Sequence, residues 1–196
     1  MAGNVRPVAD ERDGLLQFLA QQRYVIRIAA YGLTDEQARA VSTESPLTVG
    51  GLIKHVAYTE QSWIDTVLQR ERGSVEGSEE AYSQHFEFGP DETLAEVLAF
   101  YEEVAKETEA VIAGIEDLGQ PVPVPQDAPW FPKDIDAWSV RWVLLHLIQE
   151  TARHAGHADF VREHVDGATA FPLMAAAEGW PESPWMKPWS PAEQPA

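Results

Sequence analysis

WSVRWVLLHLIQETARHAGHADFVREHVDG, residues 138–167, has the pattern of a single long helix. Its apolar residues recur at three- and four-residue spacing, which is the period of an amphipathic helix. Ser139 is a typical N-cap residue, and Gly167 is a typical helix stop. Carboxylates are almost never fully buried unless they are paired or bound to metal, so the polar residues on this apolar face call for an explanation. These residues are His146, Glu150, His154 and His157.

Three more segments have the same period, so the sequence predicts an all-α fold, a four-helix bundle. They are residues 9–31, 49–71 and 93–115. Thr34 predicts a short capped turn between the first two of them. The connections at 73–90 and 118–137 are too long for a simple up-and-down meander, and we expect both to be largely irregular.

The C-terminal part of the chain is rich in proline and tryptophan. We expect residues 1–168 to form the bundle and residues 169–196 to form an extended tail that packs on it. The proline spacing predicts no helix from Phe171 onward. Packing is expected to involve three indoles, because leaving each in water would forgo roughly 1.5–3 kcal/mol. They are Trp180, Trp185 and Trp189.

Composition excludes several classes of function. The chain has 196 residues, with 14 lysines and arginines against 32 aspartates and glutamates, so its net charge of −18 repels nucleic acid and anionic lipid. It has no cysteine, which excludes disulfides, thiolate metal ligands and a cysteine nucleophile. Any thiol chemistry would therefore need an external thiol. Without an apolar run of membrane length or a signal core, we expect a cytoplasmic protein.

The polar residues of the fourth helix have the chemistry of metal ligands. They fall within an arc of roughly 80° on a helix of 3.6 residues per turn, and no lysine or arginine shares that arc. Imidazole and carboxylate suit zinc, iron or nickel. Glu150 and His154 are four residues apart, as are His146 and Glu150, so either pair can hold one ion. His55 on the second helix is available as a third ligand.

Other interpretations remain open at this point. A purely structural hydrogen-bond network could join His146 and Glu150 to threonine or tyrosine partners. The spacing differs from the HExxH motif of metalloproteases and from the paired ExxH motif of di-iron bundles, so it disfavours both classes. We assign no role to His85 or His164.

Two segments together resemble a known family. Residues 138–167, above all ETARHAGHADFVRE, and LTVGGLIKHVAYTEQSWI at residues 47–64 are similar to the mycothiol-transferase branch of the DinB-like superfamily. The resemblance covers roughly residues 10–168. It implies a bundle with up-down-down-up connections and a divalent metal, commonly zinc or nickel. By position the metal ligands would be His55, Glu150 and His154, the same histidine, glutamate and histidine set as in mycothiol-dependent maleylpyruvate isomerase.

The resemblance also implies an activity. Mycothiol would bind the metal as cosubstrate, and its thiolate would attack a small electrophile in a detoxification reaction, with His157 and His146 orienting the ligands. The family often forms dimers, so a homodimer is a further expectation. Two alternatives stay open. One is a metal-dependent hydrolase that uses a metal-bound water, and the other is a non-enzymatic metal-binding stress protein.

Overall fold

The computed structural model describes residues 3–70, 84–126 and 131–191. Within these ranges the chain is mostly helical, which confirms the predicted all-α bundle. The long helices are α1 (Glu11–Ala29), α3 (Val49–Val67), α4 (Leu94–Gly114) and α5 (Val140–Asp166). Two short helices complete the set, α2 (Asp35–Ala38) and α6 (Ala170–Glu178). None of the described helices combines the length and apolar character of a membrane span.

Side-chain caps set where the helices begin. At the start of each of the first five helices, the N-cap side chain accepts a hydrogen bond from a backbone N–H three residues later. Gly167 closes α5 with a φ of 78°. Helix α3 ends at Val67, earlier than the predicted residue 71, because Gln69 takes a φ of 54° that no α-helix can continue.

Contacts near both ends of the long helices give their directions. In the contacts between α1 and α5 the residue numbers increase together along the two helices, so these helices are parallel. In the contacts of α1 with α4, and of α3 with α5, the residue numbers increase in one helix as they decrease in the other, so each of these pairs is antiparallel. The contacts are Glu11–Arg141 and Ala29–Arg162, then Arg12–Ile112 and Arg27–Glu102, then His55–His154 and Trp63–His146. The connectivity is therefore up-down-down-up, as the resemblance implied.

Two glycines let a connecting segment pack directly on α3. A Cβ atom on Gly51 would lie 2.0 Å from the Phe86 carbonyl oxygen, and one on Gly50 would lie 2.7 Å from the Phe88 ring. Lys54 Nζ also donates to the Glu87 carbonyl at 2.9 Å. Since only glycine permits so close an approach, the pair brings residues 86–88 onto the helix that carries His55.

The connection at 118–137 contains structure that the sequence did not predict. Strands β1 (Pro121–Pro123) and β2 (Ala137–Ser139) pair antiparallel, with Val122 opposite Trp138. Val122 is fully buried, so the valine between two prolines faces the core. The prolines have no N–H to donate, which suits a short strand at an edge. The pairing of the two strands positions Trp138 just before α5.

The expectation of an extended tail is wrong for residues 170–178, which form α6. Pro172 lies in the first turn of this helix, where its missing N–H would have no partner within the helix, and the run of alanines that follows favours helix. Leu173 is buried and packs against Ile28 of α1. Trp185 is 75% exposed, so it does not pack as expected. The division at residues 168 and 169 stays a prediction.

Trp189 does attach the tail to the bundle. Its ring lies 5.0 Å from the Arg162 guanidinium carbon and 5.9 Å from the Tyr31 ring. The backbone N–H of Trp189 donates to the Pro172 carbonyl at 2.9 Å. A Cβ atom on Gly32 would lie 2.6 Å from the ring, so this glycine makes room for the indole.

Replacing Trp189 by alanine is expected to lower the free energy of unfolding by about 1–3 kcal/mol, because apolar burial and the cation–π contact are both lost. Urea-induced unfolding followed by circular dichroism measures the change. Trp185→Ala is the matched control and should change it by less than about 0.5 kcal/mol. Equal effects of the two substitutions would contradict this packing.

Candidate metal centre

A His–Glu–His cluster lies between α3 and α5. His55 comes from α3, and Glu150 and His154 come from successive turns of α5. One potential ligand atom from each residue lies within 4.8 Å of the other two. Glu150 Oε1 is 3.4 Å from His55 Nε2 and 3.1 Å from His154 Nε2. The structure thus brings together all three residues that the sequence singled out as metal ligands.

The spacing of these atoms fits a shared metal ion. In a tetrahedral zinc site with bonds of about 2.0–2.1 Å, neighbouring ligand atoms are about 3.3–3.4 Å apart. The contact of 3.4 Å between His55 and Glu150 is long for a hydrogen bond, whose N···O distance is usually about 2.9–3.0 Å. Both imidazoles approach the same carboxylate oxygen. The group therefore has the donor types and the spacing to hold a divalent ion.

Burial and charge favour the metal-binding protonation states. The hydrogen bond from His154 and the nearby imidazole of His55 hold the pKa of the Glu150 carboxyl well below its usual range. Burial lowers the pKa of His55, which favours the neutral imidazole at neutral pH. An ionised carboxylate and a neutral imidazole are the forms that bind metal. Glu150 and His55 are thus held in these forms at neutral pH.

His55 is fully enclosed by its neighbours. It is 0% exposed. The Phe86 ring stacks on the imidazole at a centroid distance of 3.8 Å and an interplanar angle of 16°. Phe86 and Thr59, whose Oγ1 lies 3.5 Å from His55 Nε2, are site residues that the sequence analysis missed. The glycine pair before His55 was the available signal, since adjacent glycines in a helix indicate close approach of another segment.

His157 lies behind His154. Its Nδ1 is 3.4 Å from His154 Nδ1, on the opposite side of that ring from Glu150. A metal-binding histidine usually uses its second ring nitrogen in a hydrogen bond that sets the ring orientation. Burial is the main cause that lowers the pKa of His157, which favours a neutral ring able to accept this bond. Through this contact His157 would orient the His154 ring, which is the supporting role that the resemblance implied.

His146 is held differently. Its ring stacks on Trp142 at 5.1 Å and meets Trp63 edge-on at 5.1 Å. Among the described residues it makes no hydrogen bond to Glu150, although the two are one helical turn apart. The structure therefore provides no direct contact through which His146 would orient that carboxylate. The sequence pattern predicted the face of α5 on which His146 lies, but it could not predict that Trp63 of α3 packs against this ring.

The contacts seen for His85 and His164 are with residues outside the cluster. His85 stacks on Tyr58 at 4.6 Å, and a ring nitrogen of His164 is 2.8 Å from the carbonyl of Phe160 in its own helix. A cavity of about 490 Å³ lies between the end of α1 and the start of α4, and no residue of the cluster lines it. The cavity and the cluster are therefore separate features of the molecule.

A comparison with known proteins gives the family of the chain. A family model described as mycothiol-S-transferase matches residues 14–167, which include α3, α4, α5 and all three residues of the cluster. A search of curated proteins found no relative that matches the chain. The family match covers well over half of the sequence and confirms the resemblance stated above. The chain therefore belongs to the mycothiol-S-transferase family.

Proposed function

We propose that the protein is a metal-dependent transferase that joins mycothiol to a small electrophile. His55, Glu150 and His154 hold the divalent ion, with zinc or nickel as the candidate metals. The observation that supports this most directly is the convergence of three ligand atoms within 4.8 Å, in a chain of this family. Three protein ligands leave a coordination position for a further ligand, as in catalytic zinc sites.

Charge explains why a thiolate would enter this site in a protein of net charge −18. Two neutral imidazoles and one carboxylate compensate only one of the two positive charges of a divalent ion. A bound divalent ion would supply the electrostatic stabilisation that keeps a thiol ionised near neutral pH. Phe86 limits the access of water to His55 from one side. The chain itself has no cysteine, so the sulfur comes from the cosubstrate.

The reaction is nucleophilic attack by the mycothiol sulfur on an electrophilic carbon. Ionisation of the thiol releases one proton to solvent. The thiolate then forms a carbon–sulfur bond, and the electron pair of the broken bond departs with a leaving group such as halide. With an activated double bond the electron pair instead moves onto carbon and takes up a proton. The proposed role is detoxification by S-conjugation or dehalogenation, and isomerisation is possible through addition followed by elimination.

A thiol-dependence assay tests this proposal. Zinc- or nickel-loaded protein is incubated with an electrophile, with and without mycothiol, and the thioether is quantified by mass spectrometry. We expect thioether formation that exceeds the uncatalysed rate and is lost in Glu150→Gln, because the amide cannot neutralise the ion. Substrate turnover that needs the metal but not the thiol would instead support the hydrolase alternative. Full thioether formation by chelator-treated protein would contradict metal dependence.

A further inference from the structure

Three aromatic rings form a stack that leads along α5 toward the cluster. Trp138 and Trp142 stack at 4.4 Å with an interplanar angle of 5°, and Trp142 and His146 stack at 5.1 Å with an angle of 11°. We refer to Trp138, Trp142 and His146 as the ring ladder. Trp142, His146, Glu150 and His154 occupy one row of α5 at four-residue spacing, so the ladder ends about 6 Å along the helix axis before Glu150.

Helix α3 holds this ladder from the side. Trp63 is 6% exposed and meets all three rings at a steep angle, with centroid distances of 5.3, 5.4 and 5.1 Å. Edge-to-face contacts of this kind are favourable and hold ring orientations. Trp63 and His55 both lie on α3, so one helix supports both the ring ladder and the cluster. The ladder is therefore a pre-arranged surface rather than a set of independently mobile side chains.

The ladder also reaches the surface of the protein. Trp142 is 37% exposed, and the neighbouring Leu145 is 52% exposed. A tryptophan that served only the core would be covered, as Trp63 is. Trp138 and His146 cover the two faces of Trp142, so the exposed part of this ring is its outer edge. An exposed aromatic edge in line with a metal-binding cluster can contact a planar apolar group while a reactive carbon on that group reaches the cluster.

We propose that the ring ladder is the subsite for the body of the electrophile, and that the preferred substrates are planar, aromatic or conjugated electrophiles. This inference rests on the proposed thiol transfer and specifies the substrate class for the same site. The ladder positions the electrophile by aromatic contact and takes no part in bond formation. Losing one aromatic contact is expected to weaken the binding of such a molecule by about 3- to 10-fold.

Substrate selectivity tests the subsite. For metal-loaded protein at saturating mycothiol, the ratio of kcat/KM for 1-chloro-2,4-dinitrobenzene to that for iodoacetamide is measured. We expect Trp142→Ala to lower this ratio about 3- to 10-fold, mainly through the KM of the aromatic substrate. Trp142→Phe should restore most of it. Trp185→Ala replaces an exposed tryptophan in the tail and should leave the ratio unchanged. An unchanged ratio in Trp142→Ala would overturn the inference.

A binding measurement separates this inference from the proposed function. 1,3-Dinitrobenzene is planar and has no leaving group, so its affinity can be measured by equilibrium dialysis whether or not the protein transfers thiol. Weaker binding by Trp142→Ala, but not by Trp185→Ala, supports the subsite even if no turnover is found. Equal binding by both variants and the unsubstituted protein overturns it. If Trp142→Ala does not fold, Trp142→Leu keeps an apolar side chain without a ring and replaces it in both experiments.

Discussion

The His154→Ala protein is expected to lose most of its bound metal. His154 supplies one of three proposed protein ligands, and the remaining pair, His55 and Glu150, comes from different helices. We expect the affinity for zinc to fall by more than about 100-fold, which exceeds the roughly 10- to 100-fold effect of changing a residue that only supports a ligand. Competition with a chromogenic chelator gives the affinity, and elemental analysis gives the metal content of the purified protein.

Two further histidines on α5 provide graded controls. His157→Ala removes only the partner of His154 Nδ1 and should weaken zinc binding by about 10- to 100-fold. His164→Ala should have no effect, because this ring is exposed and contacts the carbonyl of Phe160 in its own helix. If His157→Ala empties the site while Glu150→Ala stays fully loaded, the ligand set is wrong, and a His154/His157 pair would replace it.

A buried ion pair should have the largest effect on stability. Arg23 of α1 is 4% exposed, and Glu60 of α3 is 0% exposed. Arg23 donates to both carboxylate oxygens, from Nε at 3.0 Å and from Nη2 at 2.6 Å. Thr108 Oγ1 of α4 donates to Glu60 at 2.6 Å. Three helices thus meet at one carboxylate, five residues after the metal-ligand candidate His55.

Arg23→Ala should destabilise the protein by about 3–5 kcal/mol, because it leaves the Glu60 carboxylate buried without its cation. Urea-induced unfolding gives the free energy. Arg153→Ala, at an exposed position of α5, is the matched control and should change it by less than about 0.5 kcal/mol. The double substitution Arg23→Met with Glu60→Leu should recover much of the loss, since no buried charge remains. A loss below about 1 kcal/mol in Arg23→Ala would contradict this account.

The sequence predicted those features that depend on local periodicity. Apolar spacing and capping residues such as Ser139 gave the four long helices, and the four-residue separation of Glu150 and His154 placed two candidate ligands on one face. His55 was a candidate from its helix and was assigned by resemblance to the family. The helices and the shared face of Glu150 and His154 were predicted correctly because helix geometry alone relates positions three and four residues apart.

The features that the sequence did not predict depend on contacts between distant segments. Phe86 covers His55 only because residues 86–88 approach the glycine pair on α3. Trp63 from another helix packs against His146, which no helical projection of α5 can reveal. The pairing of Arg23 with Glu60 likewise joins two helices. Helix α6 was missed for a different reason, since proline is tolerated in a first turn but was read as excluding a helix.

A metal held by His55, Glu150 and His154 is proposed to bind the sulfur of mycothiol. The most direct measurement is the absorption spectrum of cobalt-substituted protein as mycothiol is added. A sulfur-to-cobalt charge-transfer band should appear in the near ultraviolet and saturate with the thiol in the unsubstituted protein, and it should be absent from His154→Ala. Stoichiometric cobalt binding with no such band at saturating mycothiol would contradict the claim, and so would failure of the protein to bind cobalt at all.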